Sequence, residues 1–178
     1  MAKSNTPFTR HLEITYRVMR EQGVLLVTQS HEGKPNVMTI GWGMIGIIWG
    51  KPIFLVLVRP SRYTYGLLEK SLEFTVNVQP PEMRRVADFC GTHSGRDTDK
   101  FKALDLTPAK SAFVHPPIID QCAIHYECQV VHRNDVSPDE LARQILTGCY
   151  AQDDIHRIYY GEILRTCIDP GKIQTLEK

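Results

Sequence analysis

A dense group of hydroxyl and guanidinium side chains follows an apolar run in the first half of the chain. The run PIFLVLV ends at Val58, and RPSRYTY then leads into the helix-like stretch GLLEKS. The first turn of a helix carries unpaired backbone N–H groups and partial positive charge, so anions bind there. Ser61 is expected at the cap position, with Thr64 as a second hydroxyl donor. Arg59 and Arg62 add positive charge, yet on these residues alone two interpretations stay open: a phosphate-binding turn, or ordinary capping beside solvated arginines.

A second polar group lies in the stretch CGTHSGRDTDKF, which two glycines punctuate. It carries five polar or charged side chains: His93, Ser94, Arg96, Asp97 and Lys100. Such density on a glycine-hinged loop is typical of a ligand contact, although a solvated surface loop remains the alternative. No second His or Cys stands at a metal-binding spacing beside His93, so no metal site is predicted.

Two further stretches carry residue types with ligand-binding chemistry. In PNVMTIGWG, Asn36 and Thr39 are polar positions inside an apolar run, and the small glycines that follow allow close approach to the backbone. Trp42 could stack on a flat ring, although a core tryptophan is the alternative. His156 heads the last predicted strand in HRIYYGE, but neither a Ser–His–Asp set nor a carboxylate pair accompanies it. Residue chemistry alone therefore predicts a strand-rich domain with a candidate phosphate site.

Bulk composition is that of an ordinary globular chain. With 178 residues, 42% hydrophobic and 23% charged, the chain can bury a core, and we predict one domain over residues 1–178. The net charge of +1 gives no global field for nucleic acid or acidic membranes, so neither partner is predicted. Five cysteines without a CxxC pair indicate reduced, mostly packed thiols, and the first ten residues lack the apolar core of a signal peptide. We therefore expect a cytoplasmic protein.

One apolar segment is long enough to resemble a membrane span. It runs from Val37 to Val58, but Lys51 and Pro52 lie within it and four glycines interrupt it. A charge at the centre of a membrane helix costs about 2.5–3.5 kcal/mol. We therefore interpret WGKP as a turn between two strands and predict no membrane span.

Hydrophobic patterning predicts about six strands and four short helices. The strands are expected near 23–29, 36–49, 53–58, 73–79, 123–132 and 155–165, of which 73–79 alternates like a half-buried strand. The helices are expected near 62–70, 80–90, 100–104 and 137–146, the last beginning with a capping box at Ser137. Consecutive strands joined by tight turns favour an antiparallel sheet or barrel over a βαβ fold. Neither a glycine-rich dinucleotide-binding motif nor a P-loop motif occurs.

Five motifs together resemble a known family: NVMTIGW, RPSRYTY, EFTVNV, CGTHSGRDTDKF and H…YYGE. In this order and spacing, over residues 18–165, they resemble the flavin reductase-like, FMN-binding split-barrel family, above all its flavoredoxin branch. The resemblance implies a mainly β fold with flanking helices, a Greek-key split β-barrel, and a homodimer with FMN near its interface. The chain departs from the family pattern at SPDELARQILTGCYAQDD, where a helix-forming insertion, centred on residues 137–148, replaces a short turn before the last strand.

The resemblance also implies a role for each matching position. The FMN phosphate would be bound by Arg59, Ser61, Arg62, Tyr63 and Thr64. The isoalloxazine ring would be lined by Asn36, Val37, Met38, Thr39 and Trp42, and the ribityl chain or the ring would be faced by Asn77. The cofactor would be closed over by Ser94, Gly95, Arg96 and Asp97. The catalytic residues beside the ring would be Lys100, which would stabilise the negative charge of the reduced cofactor, and His156.

The function implied by this resemblance is that of an FMN-dependent oxidoreductase, either a flavin reductase-like enzyme or a flavoredoxin-type electron carrier. Three alternatives stay open: a carrier fed by a redox protein without NAD(P)H, a flavin-binding module without catalysis, and a barrel without a cofactor. Because the family binds the dinucleotide by stacking on the flavin, no nicotinamide motif distinguishes NADH, NADPH or a redox protein as the electron donor.

Overall fold

The computed structural model describes residues 3–176, in which ten strands and six helices are assigned. The strands are β1 (Ser4–Asn5), β2 (Val24–Gln29), β3 (Pro35–Ile40), β4 (Gly43–Ile48), β5 (Lys51–Val58), β6 (Glu73–Val78), β7 (Pro108–Ala109), β8 (Ile118–Ile119), β9 (Ile124–Asp135) and β10 (Arg157–Ile168). The helices are α1 (Leu12–Gln22), α2 (Tyr63–Ser71), α3 (Arg84–Thr92), α4 (Lys100–Ala103), α5 (Arg143–Cys149) and α6 (Pro170–Leu176). That residues 1–178 form a single domain stays a prediction.

Seven strands form a continuous antiparallel sheet in the order β3-β2-β6-β9-β10-β5-β4, and β1 pairs with β10 beside it. The outer strands of this order, β3 and β4, are consecutive in the chain and joined by Gly41 and Trp42 alone. Seven flat strands would hold their outer members about 29 Å apart, whereas two linking residues span about 11 Å at most. The sheet therefore curls until its two edges approach each other.

The interior of the curled sheet is filled by large apolar side chains. Phe54, Phe74 and Tyr126 are fully buried there, and the rings of Phe54 and Tyr126 meet edge to face with centroids 5.3 Å apart. Gly161 on β10 leaves the space that the Phe74 ring occupies, since a Cβ at this position would lie 2.4 Å from the ring. The absence of a side chain at Gly161 thus lets β10 lie close to β6 and β9.

A second apolar layer covers the outer face of β2 and β3. Leu25, Val27 and Val37 pack there against Ala87 and Cys90 of α3. Ala87 and Cys90 are the buried residues of α3, which lies within the stretch 80–92 where a helix near 80–90 was expected. The layer fixes α3, and the loop that follows it, beside the end of β3.

Three strand predictions are refined by the structure. The run 36–49 is divided into β3 and β4, because the chain passes at Gly41–Trp42 from one edge of the sheet to the other. The predicted turn at WGKP is confirmed, with φ of 55° at Trp49 and 70° at Gly50. The prediction of a half-buried β6 is wrong: Thr75 is also fully buried, because the chain near β8 covers that face and Thr75 donates a hydrogen bond to the Pro117 carbonyl, 2.8 Å away.

Two helices also differ from the sequence prediction. Helix α1 was not predicted, although Thr15, Val18 and Met19 form its buried stripe. The predicted helix 137–146 is wrong in its first part: a 3-10 turn over Pro138–Glu140 and an extended link precede α5, which begins at Arg143, and the Ser137 side chain makes no capping hydrogen bond. Among residues 3–176 no helix is long and apolar enough to cross a membrane, and the apolar segment 37–58 forms β3, β4 and β5.

Candidate functional site

A cleft of about 290 Å³ opens where the two edges of the sheet meet. Three parts of the fold converge there: the end of β3 with its link to β4, the turn from β5 into α2, and the loop between α3 and α4. Small-molecule sites span about 300–1,000 Å³, so the cleft lies near the lower end of that range. The described residues that line it are Met38, Thr39, Ile40, Gly41, Trp42, Leu57, Arg59, Ser61, Arg62, Tyr63, Thr64, Cys90, Gly91, His93, Ser94, Gly95, Arg96, Lys100 and His156.

The turn into α2 presents backbone donors to this cleft. Arg62, in an extended conformation, is the N-cap residue of α2, and no side chain caps the helix. The prediction of Ser61 as the cap is therefore wrong by one position. Ser61 instead donates a hydrogen bond from Oγ to Asp154 Oδ2 at 2.5 Å, and its amide donates to Asp154 Oδ1 at 3.3 Å. The amides of the first turn of α2 are thus left without a side-chain acceptor, as in anion-binding helix starts.

Four cationic side chains line the cleft: Arg59, Arg62, Arg96 and Lys100. Arg96 donates to the Ser61 carbonyl at 3.0 Å and lies over the Tyr63 ring at 5.7 Å. Within residues 3–176 no Asp or Glu lines the cleft, and none of the four cations forms an ion pair with a carboxylate. The cleft therefore has a local positive charge that the net charge of the chain does not reveal.

Lys100 is the buried member of this group. Lys100 is only 5% exposed, and its Nζ donates a hydrogen bond to the Cys90 carbonyl, 2.9 Å away. Burial lowers the pKa of Lys100, the neighbouring Cys90 opposes that shift, and Arg62 adds to it. A buried ammonium without a carboxylate partner is costly to the folded chain, and an anionic ligand in the cleft would offset that cost.

An aromatic group forms another wall of the cleft. The Trp42 ring is 45% exposed, and its centroid lies 5.0 Å from that of His156. His156 is buried, and its Nδ1 lies 2.9 Å from the Tyr150 hydroxyl. Burial, helped by the charge of Arg59, lowers the pKa of His156 to about 4, so its ring is neutral at pH 7. This wall can contact a flat ring, and His156 adds no positive charge to it.

The loop between α3 and α4 lies tightly against β3. A Cβ at Gly95 would lie 2.0 Å from Asn36 Oδ1 and 2.9 Å from the Tyr63 ring, so only glycine fits here. Asn36 in turn donates from Nδ2 to Thr64 Oγ1 at 2.9 Å, a buried contact. Asn36 thus supports α2 from behind the cleft and does not line it.

Thirteen of the seventeen predicted site residues line the cleft: Met38, Thr39, Trp42, Arg59, Ser61, Arg62, Tyr63, Thr64, Ser94, Gly95, Arg96, Lys100 and His156. Their contact with flavin stays a prediction. The other four are Asn36, described above, and Val37, Asp97 and Asn77. Val37 is fully buried and packs under α3, and Asp97 is an exposed loop residue; neither of them lines the cleft.

Asn77 is placed outside the cleft by the structure. It is fully buried, and its Oδ1 accepts hydrogen bonds from the Ile119 amide at 3.0 Å and from His125 Nδ1 at 2.8 Å. Its Nδ2 donates to Thr75 Oγ1 at 3.0 Å. Because these contacts occupy its amide group, Asn77 cannot also face a ligand in the cleft, and its role is to join β6 to the chain near β8.

Some residues of the cleft were not singled out from the sequence. Leu57 and Cys90 line it, and Asp154 contacts it through Ser61. Gly91, the first of the two glycines that punctuate the polar loop, lines it as well, beside Thr39, and its place at the head of that loop was a signal for it. Asp154 gave no such signal, because it is separated from Ser61 by 93 positions. Among the described residues no group of three or more His, Cys, Asp or Glu is arranged to hold a metal ion.

A family model for the flavin reductase-like domain matches residues 19–176 of this chain. The chain belongs to that family. A protein of Archaeoglobus fulgidus is 32% identical to this flavin reductase-like domain over 131 residues, which are 74% of this chain and 64% of the relative. The chain therefore spans less than two thirds of the length of that relative.

Solved structures of known proteins resemble this flavin reductase-like domain in fold. Flavoredoxin of Desulfovibrio vulgaris (Miyazaki F) superimposes with a TM-score of 0.67 at 25% identity, over 84% of this chain and 70% of that one. An NADH:FAD oxidoreductase of Streptomyces globisporus superimposes with a TM-score of 0.65 at 19% identity, over 97% of this chain and 90% of that one. These neighbours, with the curled antiparallel sheet, confirm the predicted fold class, a mainly β flavin reductase-like split barrel with helices.

Proposed function

We propose that this chain is an FMN-binding flavoprotein that acts in electron transfer, as a flavin reductase-like or flavoredoxin-type oxidoreductase. The charge of the cleft carries the proposal. Four cations line it, no carboxylate does so among the described residues, and one of the cations, Lys100, is buried. A ligand that joins a phosphate to a flat ring complements both the cationic turn and the aromatic wall, and FMN supplies hydride and electron transfer when bound.

The residues of the cleft divide into two groups with different tasks. Around the start of α2, the backbone amides with Arg62 and Arg96 would bind the phosphate. Along the other wall, Trp42 and the neutral His156 would contact the ring and exclude water from one side. Lys100 holds a positive charge in the buried part of the cleft, where negative charge is stabilised more strongly than in water. The protein thus supplies binding, orientation and electrostatic stabilisation.

The electron donor we propose is NAD(P)H, with a redox protein as the second candidate. The partly exposed Trp42 at the edge of the cleft is compatible with both, because it leaves the aromatic wall open to an incoming molecule. The structural similarity to an NADH:FAD oxidoreductase favours a nicotinamide donor, and the similarity to a flavoredoxin favours an electron carrier.

The deciding measurement is the visible absorbance of the FMN-loaded protein, mixed without oxygen first with NADH and then with NADPH. We expect the flavin band to bleach within seconds with at least one of them. Bound flavin that stays yellow with both dinucleotides, but bleaches with a reduced redox protein, would instead identify a carrier. Failure of the protein to bind FMN at all would refute the proposal.

We further propose that two copies of the chain associate through the exposed apolar residues of β4 and of the turn that follows it. Met44 is 51% exposed, Ile47 62% and Trp49 61%, and they extend from Trp42 at the cleft along an outer strand of the sheet. Exposed apolar residues on such a strand are a typical interaction surface. A second chain here would cover them beside the cleft.

Ile47→Asp is expected to convert a dimer into a monomer, because the new carboxylate would be desolvated at the contact. Sedimentation equilibrium checks this by giving twice the chain mass for the unchanged protein and the chain mass for the variant. Ile145→Asp on α5, where Ile145 is 44% exposed, is the matched control and is expected to remain a dimer. A monomeric unchanged protein would contradict the proposed association.

The cysteines support the cytoplasmic location that we also propose. Five of them are free, and four of these are buried. Burial raises the pKa of Cys90 to about 11, so this thiol stays protonated and unreactive. Packed, reduced thiols of this kind suit a reducing compartment. Fractionation of cells that express the native chain tests the location, and recovery outside the cytoplasm would refute it.

A further inference from the structure

The last residue of α5 and the chain that links it to β10, residues 149–156, lie against one wall of the cleft, and we call this segment the strap. Arg59 holds it with two hydrogen bonds, to the Cys149 carbonyl at 2.9 Å and to the Asp154 carbonyl at 2.7 Å. The Arg59 guanidinium also lies 5.2 Å from the centroid of the Tyr150 ring. The strap is therefore fastened to the end of β5, immediately before the turn into α2.

The carboxylate of Asp154 occupies the hydroxyl and the amide of Ser61. Both carboxylate oxygens are used, at 2.5 Å from Ser61 Oγ and 3.3 Å from Ser61 N. A hydroxyl has a single hydrogen to donate, so a second anion cannot receive it while Asp154 does. The chain thus places an anionic group of its own on a residue, Ser61, that the family resemblance assigns to the phosphate.

The middle of the strap has few buried contacts. Its residues 151–153 are exposed, whereas the buried rings of Tyr150 and His156 anchor its two ends beside Trp42. Asp153, next to Asp154, has a backbone φ of 55°, which lies in the left-handed region that residues other than glycine seldom adopt. Segments with few buried apolar contacts open locally at lower cost than the core does. The contact of Asp154 with Ser61 can therefore be exchanged without unfolding the sheet.

We propose that Asp154 is an internal competitor for phosphate at the turn into α2. A phosphate-bearing ligand takes the Ser61 hydroxyl and amide, displaces the Asp154 carboxylate, and so releases the strap from Ser61. This inference rests on the proposed function for the identity of the ligand as FMN, but the exchange itself concerns any phosphate group at this turn.

Two consequences follow for ligand binding. FMN must break the contact between Asp154 and Ser61 in order to bind, and this cost lowers the affinity for FMN. Riboflavin has no phosphate to place at Ser61, so its affinity is not lowered. The negative charges of the Asp154 carboxylate and of the FMN phosphate also repel each other, and this repulsion speeds the dissociation of FMN. FMN is then an exchangeable ligand whose binding is coupled to the position of the strap.

The first test compares FMN and riboflavin binding to the unchanged protein, to Asp154→Asn and to Asp153→Asn. The last variant is the matched control, because it removes the same charge one residue away from the contact. We expect Asp154→Asn to bind FMN about tenfold more tightly and riboflavin with unchanged affinity. Asp153→Asn is expected to change neither. Unchanged or weaker FMN binding by Asp154→Asn, or an equal gain for riboflavin, would overturn the inference.

The second test needs no flavin and separates this inference from the proposed function. Hydrogen exchange of the peptide 150–155 is followed in inorganic phosphate and in chloride of equal ionic strength. We expect faster exchange in phosphate for the unchanged protein, and fast exchange in both solutions for Asp154→Ala. Exchange that phosphate slows or leaves unchanged in the unchanged protein would overturn the displacement of Asp154, whether or not FMN binds.

Discussion

Lys100→Met is expected to weaken FMN binding about ten- to a hundredfold, the loss typical of a hydrogen bond to a charged group. The same variant is expected to lower the midpoint potential of the bound flavin, because in the proposed site Lys100 would stabilise the negative charge that reduction adds. A flavin titration followed by fluorescence gives the affinity, and an anaerobic redox titration gives the potential.

The matched control for this prediction is Lys102→Met, on the same short helix α4 but exposed. It is expected to leave both the affinity and the potential unchanged. Because burial lowers the pKa of Lys100, the charged lysine destabilises the folded chain at every pH below that lowered pKa, and the penalty disappears once pH exceeds the pKa of the unfolded chain. Lys100→Met is therefore expected to fold at least as stably without flavin. Unchanged affinity and potential would remove Lys100 from the proposed site.

Gly161→Ala is expected to lower the free energy of unfolding by about 2 kcal/mol, or Tm by about 4–8 °C. Its new Cβ would lie 2.4 and 2.6 Å from two atoms of the Phe74 ring and 2.9 Å from Cys128 Cβ. Phe74, Cys128 and Gly161 lie on β6, β9 and β10, which are the three central strands of the sheet. Neither the ring nor the backbone therefore has room to move away from the new Cβ. Thermal and urea unfolding provide the measurement.

Gly46→Ala on β4 serves as the control, since nothing lies within 4 Å of a Cβ there. It is expected to change Tm little. A second comparison adds Phe74→Leu to the unchanged protein and to Gly161→Ala. We expect Phe74→Leu to lower the free energy of unfolding less in the Gly161→Ala protein, because the smaller leucine relieves the overlap with the new Cβ. If Gly161→Ala unfolded at the same temperature as Gly46→Ala, the close approach of Phe74 to β10 would be refuted.

The turn into α2 and its cationic neighbours could be predicted from the sequence because the signals are local. Arg59, Ser61 and Arg62 stand together between an apolar strand and a helix, and the structure keeps them together. The error in the cap arose because Ser61 finds a partner in Asp154, far along the chain, instead of in the first turn of its own helix.

The side chains of strands were harder to place. Alternation shows which residues of β6 share a face, but not what covers each face, so Asn77 was assigned to a cofactor when it joins β6 to Ile119 and His125. The insertion centred on residues 137–148 shows that local patterns are equally insufficient for placing helices. A capping box at Ser137 predicts a helix start, yet the chain turns once and extends before α5.

The two-residue link at Gly41–Trp42 has a consequence for the order in which the protein can assemble. The link joins the first and last strands of the sheet order and also lines the cleft, so the sheet is complete around the cleft only when every intervening strand has paired. Pairings so distant in sequence form late and are lost together. A fragment that lacks β10, the last of these strands to be synthesised, has a gap between β9 and β5, so a newly made chain can close the sheet around its cleft only after β10 has been made.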